Sequence, residues 1–446
     1  MRYVGRIELM RASLVLIGDE LLNGAVNDTA LAWFGGQFVA HGFELGHVQF
    51  VSDDLASISD AISVAVSRGD VVILTGGLGP TSDDLTRNAL ARFIRVPLLR
   101  NLELIGLIAA RYIELDRSMP ENAASMADLP EGATALPNQT GSAPGIRVMI
   151  DGVPIFALPG VPSEMRSMFV HDVLPELLRT FSADSRSTIV LRVALEGEST
   201  IAMKLRNWER ELPAALSVAY LANLGDVLVK ISGNNQMLVN EYAKSAAQLI
   251  GESVYAIQDR DEQPISIATQ VHRLLGEREQ TIATAESLTG GGVGSSLTRM
   301  PGASANYLGG VIAYSPSLKI NLLGVSSALI SDVGAVDPDV AKAMALGVRD
   351  ATGADWALAT TGVAGPGDSD GVSQGTVYVA LVGPGKGAVT PLHYSVIRLK
   401  FGPRDREFVR RATVIHALEL VRRTLSGLGM AADQQDVTHL CRSGQE

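Results

Sequence analysis

DVVILTGGLGPTSDD, residues 70–84, decides the fold. Val71 to Leu74 is a short apolar run bounded by turn residues, which reads as a buried strand from Asp70 to Leu74. It runs directly into Gly76-Gly77 and Gly79-Pro80. A helix is expected from about Asp83, because Leu85, Ala89 and Phe93 recur at i, i+4 and i+8 and share one face. Strand, glycine loop and helix in that order form the unit of a parallel sheet covered on both faces. Ligands of such sheets bind beyond the carboxyl ends of the strands, where this loop lies. Upstream the order repeats. Ser13 to Ile17 reads as a strand ended by Gly18, and Thr29 to His41 as a helix with Gly42 past its end. Ile58 to Ser67 reads as a further helix.

Downstream, composition shifts near residue 170, and 171–257 reads as a small α+β connecting domain with few glycine loops. The polar stretch Gln258 to Pro264 reads as a linker. A third unit, 262–427, is again α/β. Its expected strands are Thr281 to Ala285, Trp356 to Thr360 and Thr376 to Val382, with the apolar run Leu308 to Ala313 between. Gly290-Gly291-Gly292 opens one helix, and Asp337-Pro338 supplies an acidic N-cap and a first-turn proline to another. Val340, Met344 and Val348 share a face of the latter. Arg406 to Leu425 reads as a closing helix, and 428–446 as a polar, disordered tail. The first domain is placed at 1–170.

Length agrees, since 446 residues at about 100–200 per domain give about three. Glycine is abundant at 45 residues and aromatics are scarce at 5%, which favours glycine loops around small ligands. Lys and Arg total 37 against 48 Asp and Glu, a net charge of −11, so direct nucleic-acid binding is not expected. The single cysteine, Cys441, excludes internal disulfides and Cys-based zinc sites and fits a reducing, cytoplasmic setting. No apolar run reaches the roughly 18 residues of a membrane span. Arg2 and Arg6 precede an apolar stretch, Ala12 to Ile17, too short for a secretory signal.

Three glycine-bearing segments suggest a phosphate site: 18–20, 75–84 and Asn138 to Gly145. Gly76, Gly77 and Gly79, with Gly141, would admit backbone N–H groups close to a phosphate, and Thr81 adds a hydroxyl. Asp83 alone reads as well as a helix N-cap. Asp19, Glu20 and Asp84 beside it would repel a phosphate unless a hard divalent cation intervened, so the four carboxylates are the expected ligands. Oxygen ligands do not choose among magnesium, manganese and cobalt.

In the third unit, Ser287 follows an expected strand and precedes the glycine run, a good place for a nucleophile. The helix opening near Gly290 would offer free N–H groups to an oxyanion. His393 and His416 lie in neither a glycine loop nor a strand end and read as structural. Lys319, in Ala313-Tyr-Ser-Pro-Ser-Leu-Lys319, is the alternative base, with burial beside the Tyr314 hydroxyl lowering its pKa. On spacing alone, a solvated lysine on a helix is the plainer reading. Gly362 and Gly365 allow close backbone approach to a substrate. Gly367-Asp-Ser-Asp-Gly371 matches a hydrolase elbow but lacks the required strand before and helix after, so it reads as loop.

These segments resemble a known family. GDELLNG (18–24), TGGLGPTSDDLT (75–86), NQTGSAPG (138–145) and LPGVPSEM (158–165) resemble the N-terminal, molybdopterin-binding-like domain of the CinA (competence/damage-inducible) family. Thr284 to Gly291, Ala313 to Lys319, Thr361 to Pro366 and Gly375 to Tyr378 resemble its C-terminal nicotinamide-nucleotide amidase domain. The resemblance implies a three-layer α/β/α first domain with metal-dependent ADP-ribose pyrophosphatase activity. It implies an amidase domain that needs no cofactor and converts nicotinamide mononucleotide to nicotinate mononucleotide and ammonia. Carried over, Ser287 is the nucleophile, Lys319 the base and Tyr314 an assistant. Glu286, Thr289, Gly290, Gly291, Thr361, Arg406 and Arg410 fall in its substrate-binding motifs, and Asn138 in the first domain's. A homodimer is implied. The other reading makes the first domain a non-catalytic pterin or nucleotide module in a competence or recombination accessory protein.

Overall fold

The computed structural model describes residues 10–114, 116–181, 187–260, 262–384, 392–429 and the backbone of 435–436. Arg2, Arg6 and Cys441 lie outside them. The chain divides into two compact units, Met1–Arg186 and Ser187–Glu446.

The first unit holds strands β1 (Arg11–Ile17), β2 (Glu44–Val51), β3 (Val71–Thr75), β4 (Leu98–Arg100), β5 (Asp128–Pro130), β6 (Thr134–Leu136), β7 (Gly145–Ile150) and β8 (Val153–Leu158). Its main sheet runs β2-β1-β3-β8-β7-β6. The first four strands are parallel, and β7 and β6 join antiparallel. Val71 to Leu74 are wholly buried, as an unbroken apolar strand covered on both faces must be. Side-chain alternation splits β1 between two cores. Val15 and Ile17 pack under the helices Leu55–Arg68 and Thr86–Ile94. Leu14 and Leu16 pack with Phe34, Phe38 and Phe169 on the other face. This is the three-layer α/β/α domain the sequence leads one to expect.

Two expectations change. The helix begins at Thr86, not near Asp83, because residues 81–84 form a turn closed by the Asp84 carboxylate. The composition shift at 170 falls inside a helical run, Pro162 to Thr180. Phe169, Val173, Leu174 and Leu177 from that run are buried in the first unit's core, so the unit extends past 170.

The second unit begins with an antiparallel sheet in the order β10-β11-β9-β12. Its strands are β9 (Ser187–Ala194), β10 (Leu216–Asn223), β11 (Asp226–Gly233) and β12 (Val254–Asp259). Helices Glu198–Arg210 and Gln236–Ile250 cover one face through Ile201, Leu205, Val239 and Ala243. A six-stranded sheet follows: β13 (Ile282–Glu286), β14 (Tyr307–Ile312), β15 (Trp356–Gly362), β16 (Thr376–Gly383), β17 (His393–Lys400) and β18 (Gln435–Asp436). Its order is β14-β13-β15-β16-β17-β18, parallel among β14, β13 and β15 and antiparallel beyond. Helix Pro338–Thr352 covers one face with Val340, Met344 and Val348. Helices Ile267–Gly276 and Arg406–Leu425 cover the other. Ala194, Tyr255 and Ala256 join that last core, so the two sheets of this unit share packing.

The expected linker is therefore corrected at its start. Gln258 belongs to β12, is buried, and accepts from Arg192 Nε (3.1 Å) and the Ile265 amide (2.9 Å). The tail also contributes structure, since Gln435–Asp436 pairs with Ile397 and Arg398. Among the described residues no helix is long and apolar enough to cross a membrane.

Candidate functional site

Ser287 sits one residue past the end of β13, and its amide donates to the Thr360 carbonyl on β15 (2.9 Å). Lys319 projects from the helix Pro316–Leu323, which Ser315 caps by accepting from the Leu318 amide. Its Nζ lies 3.0 Å from Ser287 Oγ, 2.8 Å from the Ala313 carbonyl oxygen and 3.4 Å from that of Tyr314. Lys319 is 1% exposed and Ser287 8%. Burial alone pushes the Lys319 pKa down from 10.5 to about 8, because a low-dielectric site disfavours the ammonium. A neutral amine has two N–H bonds and one lone pair. The two carbonyls accept the N–H bonds, and the lone pair is left for the Ser287 hydroxyl proton.

The expected role of Tyr314 changes. Its side chain is exposed, and its hydroxyl accepts from Arg406 rather than meeting Lys319. Arg406 also donates to the Gly365 carbonyl (2.7 Å), joining the 363–375 loop to the Tyr314 ring. Gly365 is needed there, with φ +88 and a built Cβ falling 2.4 Å from Gln374.

Glu286 is corrected from a substrate contact to an internal brace. Its buried carboxylate accepts from the amides of Gly291 (3.0 Å), Val293 (3.0 Å) and Gly294 (2.8 Å). The Gly292–Thr298 helix start is thus already occupied by an anion and offers no free amides to an oxyanion at those positions. The Gly290 amide is used as well, by the Ser287 carbonyl (3.1 Å). The amides of Leu288 and Thr289 are the ones these bonds leave over. Arg410 donates through Nε to the Leu288 carbonyl (3.1 Å) and through NH2 to that of Thr289 (3.2 Å), fixing the Leu288–Thr289 and Thr289–Gly290 peptide planes and so the Thr289 amide.

Thr289 and Thr361 point inward, each 1% exposed. The first pairs with Thr360 Oγ1 (2.8 Å) and the second donates to the Ala335 carbonyl (2.8 Å). Gly362 is glycine because a Cβ would meet the Thr376 carbonyl at 2.7 Å. Neither threonine side chain opens to a ligand. His416 is buried with Nδ1 on the Ala412 carbonyl, and residues 367–371 are loop with a Ser369–Val372 bridge.

The first unit carries a separate cleft of about 410 Å³ beyond the carboxyl ends of β1, β3 and β8. Glu20, Asp53, Asp83, Asp84 and Glu164 line it, and among the described residues no Lys, Arg or His does. Its glycines serve the protein's own packing more than a ligand. A Cβ at Gly76 would strike the Ile17 carbonyl at 2.1 Å, at Gly77 Thr86 Oγ1 at 2.4 Å, and at Gly79 the Asp84 carboxylate at 2.5 Å. Asp84 accepts from the Gly79 and Thr81 amides and from Thr81 Oγ1, so both oxygens close the loop. Asn138 accepts from the Gly141 amide and donates to Glu164, which a Cβ on Gly141 would overlap. Asn138 and Gly141 line an adjacent groove instead of this cleft. Asp19 and Thr81 do not line it either.

Sequence reasoning missed Asp53, Arg87 and Glu164. Asp53 follows β2, a strand that no glycine loop announces; its carboxylate accepts from the Asp19 amide (2.9 Å). Burial, with the charges of Asp19, Glu20 and Asp83, holds its pKa above the usual carboxylate value, against the Asp19 amide's opposing hydrogen bond. Arg87 is buried and holds the loop by donating to the Leu78 and Gly79 carbonyls (2.6 Å each). Glu164 lies inside the quoted LPGVPSEM motif. Among the described residues no group of three or more His, Cys, Asp or Glu forms a ready metal site. The oxygen-only donors still suit a magnesium-type ion, which takes one or two carboxylates and completes its shell with waters and substrate phosphates. Asp53 with Glu20 or Asp83 would supply those one or two carboxylates; Asp84, with both oxygens engaged by its own loop, is corrected to a loop brace.

Residues 265–425 match the CinA C-terminal domain, and 13–179 a probable molybdopterin binding domain. A CinA-like protein of Frankia casuarinae is 40% identical over 435 residues, 94% of this chain and 97% of that one. A putative competence-damage inducible protein of Halothermothrix orenii is 38% identical over 381 residues, 84% and 90% of the two chains. The solved structure of the protein CinA of unknown function from Thermoplasma acidophilum is 29% identical. It covers 39% of this chain and 98% of its own, with a TM-score of 0.35.

Proposed function

The chain belongs to the CinA family, and from that premise we propose that its second unit is a serine amidase acting on nicotinamide mononucleotide. The observation that carries this reading is the buried Ser287–Lys319 pair at a strand end. Lys319 takes the Ser287 proton as Oγ attacks the carboxamide carbon. The Leu288 and Thr289 amides receive the developing oxyanion, and Arg410 on the Leu288 carbonyl aims the Thr289 amide that shares its peptide plane. Lys319 then returns the proton to the leaving nitrogen, and ammonia departs. The same amine activates a water that hydrolyses the ester, releasing nicotinate mononucleotide. Arg406, bonded to the exposed Tyr314 hydroxyl, supplies the charge a substrate phosphate needs. Ammonia release from the mononucleotide tests the reading. Unchanged turnover in Ser287→Ala would end it.

The carboxylate-lined cleft supports a second activity in the first unit, cleavage of ADP-ribose to AMP and ribose 5-phosphate. A divalent cation held by Asp53 with Glu20 or Asp83 would neutralise the pyrophosphate and polarise its phosphorus. The chain's own loop, braced by Arg87 and Asp84, places the Gly77 to Pro80 backbone against the ligand. Product analysis with ADP-ribose and cation separates this from a binding-only pterin or nucleotide module, which would give heat of binding without AMP.

A further inference from the structure

Arg406 opens the closing helix and is exposed. Its NH1 donates to the Gly365 carbonyl (2.7 Å) and its NH2 to the Tyr314 hydroxyl. Both acceptors are neutral, so these bonds orient the guanidinium without cancelling its charge. A guanidinium has five N–H bonds, and the remainder stay available to an anion. Ordering a long exposed side chain costs rotamer entropy, so Arg406 is held only as firmly as its acceptors are.

Gln374 holds one of those acceptors. Its Oε1 accepts from the Gly367 amide (2.9 Å) and its Nε2 donates to the Arg404 carbonyl (2.7 Å). Only one orientation of the side-chain amide satisfies both. Its backbone amide donates to Asp368 Oδ1 (2.8 Å). The side chain also packs against Gly365 so closely that a Cβ there would overlap it. Gln374 therefore ties together two segments. One is the 365–368 turn, which carries the carbonyl that Arg406 grips. The other is the 402–405 turn, from which the helix of Arg406 starts. The Phe401 amide, donating to the Gly375 carbonyl (2.9 Å), keeps the same two segments in register. Arg404, Gln374, Gly367, Gly365 and Arg406 thus close a ring. None of the hydrogen bonds of Gln374 reaches Ser287, Lys319, Leu288 or Thr289.

We propose that Gln374 is a positioning residue for anion recognition. It keeps the Gly365 carbonyl where Arg406 is aimed at the phosphate of a nucleotide substrate, and so sets the preference for the mononucleotide over its phosphate-free riboside. The inference rests on the amidase reading above and adds to it the residue that fixes phosphate selectivity.

Ammonia release from the mononucleotide and from nicotinamide riboside, which offers the same carboxamide without the phosphate, tests this in Gln374→Met. Methionine keeps the length of the side chain and removes both of its hydrogen bonds. The KM for the mononucleotide should rise about tenfold, the scale of one weakened bond to a charged group, with kcat within about twofold. For the riboside, kcat/KM should change by less than about twofold. Arg406→Met should lose the same preference, and the double variant should be no worse than Arg406→Met alone, because the glutamine acts through the arginine. Gln374→Leu carries the same test should the methionine variant not fold. Equal losses on both substrates would mean a general loosening of the loop. Additive losses would mean that Gln374 acts independently of Arg406. Either result overturns the proposal, as does an unchanged KM. If the parent releases no ammonia from either compound, the amidase reading fails, and calorimetry of the mononucleotide on the same variants judges Gln374 instead. Binding that weakens in Arg406→Met but not in Gln374→Met, or no binding to the parent, then overturns its role.

Discussion

Lys319 Nζ stands 3.0 Å from Ser287 Oγ, and the lysine is 1% exposed. Only the neutral amine can accept the serine proton, and burial brings the lysine pKa to about 8. The rate of ammonia release should therefore climb with pH, about tenfold per unit well below pH 8, and level off above about pH 9. A kcat independent of pH between 6 and 9 contradicts Lys319 as base.

The same burial has a thermodynamic sign. Lys319 falls from 10.5 to about 8 on folding, so between those values the unfolded chain binds the proton the native protein releases. Stability rises with pH across that window, and the full penalty is present below it. At pH 7 it is about 3 kcal/mol, from roughly 2.5 units at 1.36 kcal/mol each. Lys319→Met should thus abolish turnover yet raise stability at pH 7 by about 1–3 kcal/mol, the lost carbonyl hydrogen bonds offsetting part. Urea unfolding at pH 7 and 10.5 checks this: the gain should shrink at the higher pH.

Arg410 reaches the reaction only through the Leu288 and Thr289 carbonyls, so its removal should misaim the Thr289 amide, coplanar with the Leu288 carbonyl, without touching ground-state binding. Arg410→Met is expected to lower kcat by about 10²–10³, the scale of one lost oxyanion donor, with KM within about twofold. A change confined to KM would make Arg410 a substrate contact.

Glu286 accepts three amides with two oxygens, and Gln offers only one acceptor atom. Glu286→Gln should cost about 1–3 kcal/mol of stability and lower kcat as the Ser287 turn loosens. Thermal unfolding at neutral pH measures the first effect and ammonia release the second. Full retention of both would mean the carboxylate does not brace the turn.

Much of this was legible beforehand, and the failures share a cause. A short unbroken apolar run located β3, and an Asp-Pro cap with one shared apolar face located the Asp337-capped helix, because one chain segment suffices for each. Ser287 was legible as a residue type at a strand end, whereas Lys319 read on spacing as a solvated helix lysine and entered as the base only through the family resemblance. What Glu286, Asp84 and Gly77 do was not, because each is decided by a partner brought in by folding: three amides, a turn of its own loop, the Thr86 hydroxyl. A motif shows that such residues are needed; only the packing shows whether they face the ligand or the protein. Asp53 escaped notice for the complementary reason, since it reaches its cleft from the end of β2 with no glycine beside it.

Asp53 and Asp84 line one cleft but should respond oppositely to neutralisation. Asp53 is held in its charged form against burial and the charges of Asp19, Glu20 and Asp83. A raised carboxylate pKa means stability falls as pH rises through the usual value toward the folded one, so Asp53→Asn should leave stability at pH 7 unchanged or higher. A cation on Asp53 with Glu20 or Asp83 relieves the same repulsion. Added magnesium or manganese at about 100 times its Kd should then stabilise the parent by about 2.7 kcal/mol, and Asp53→Asn should lose that gain together with ADP-ribose cleavage. Asp84→Asn should instead lower stability with or without cation, because Gly79, Thr81 and its own loop depend on both oxygens. Melting curves of the two variants with and without metal separate the roles. A metal-induced shift that survives in Asp53→Asn but vanishes in Asp84→Asn would exchange the two assignments.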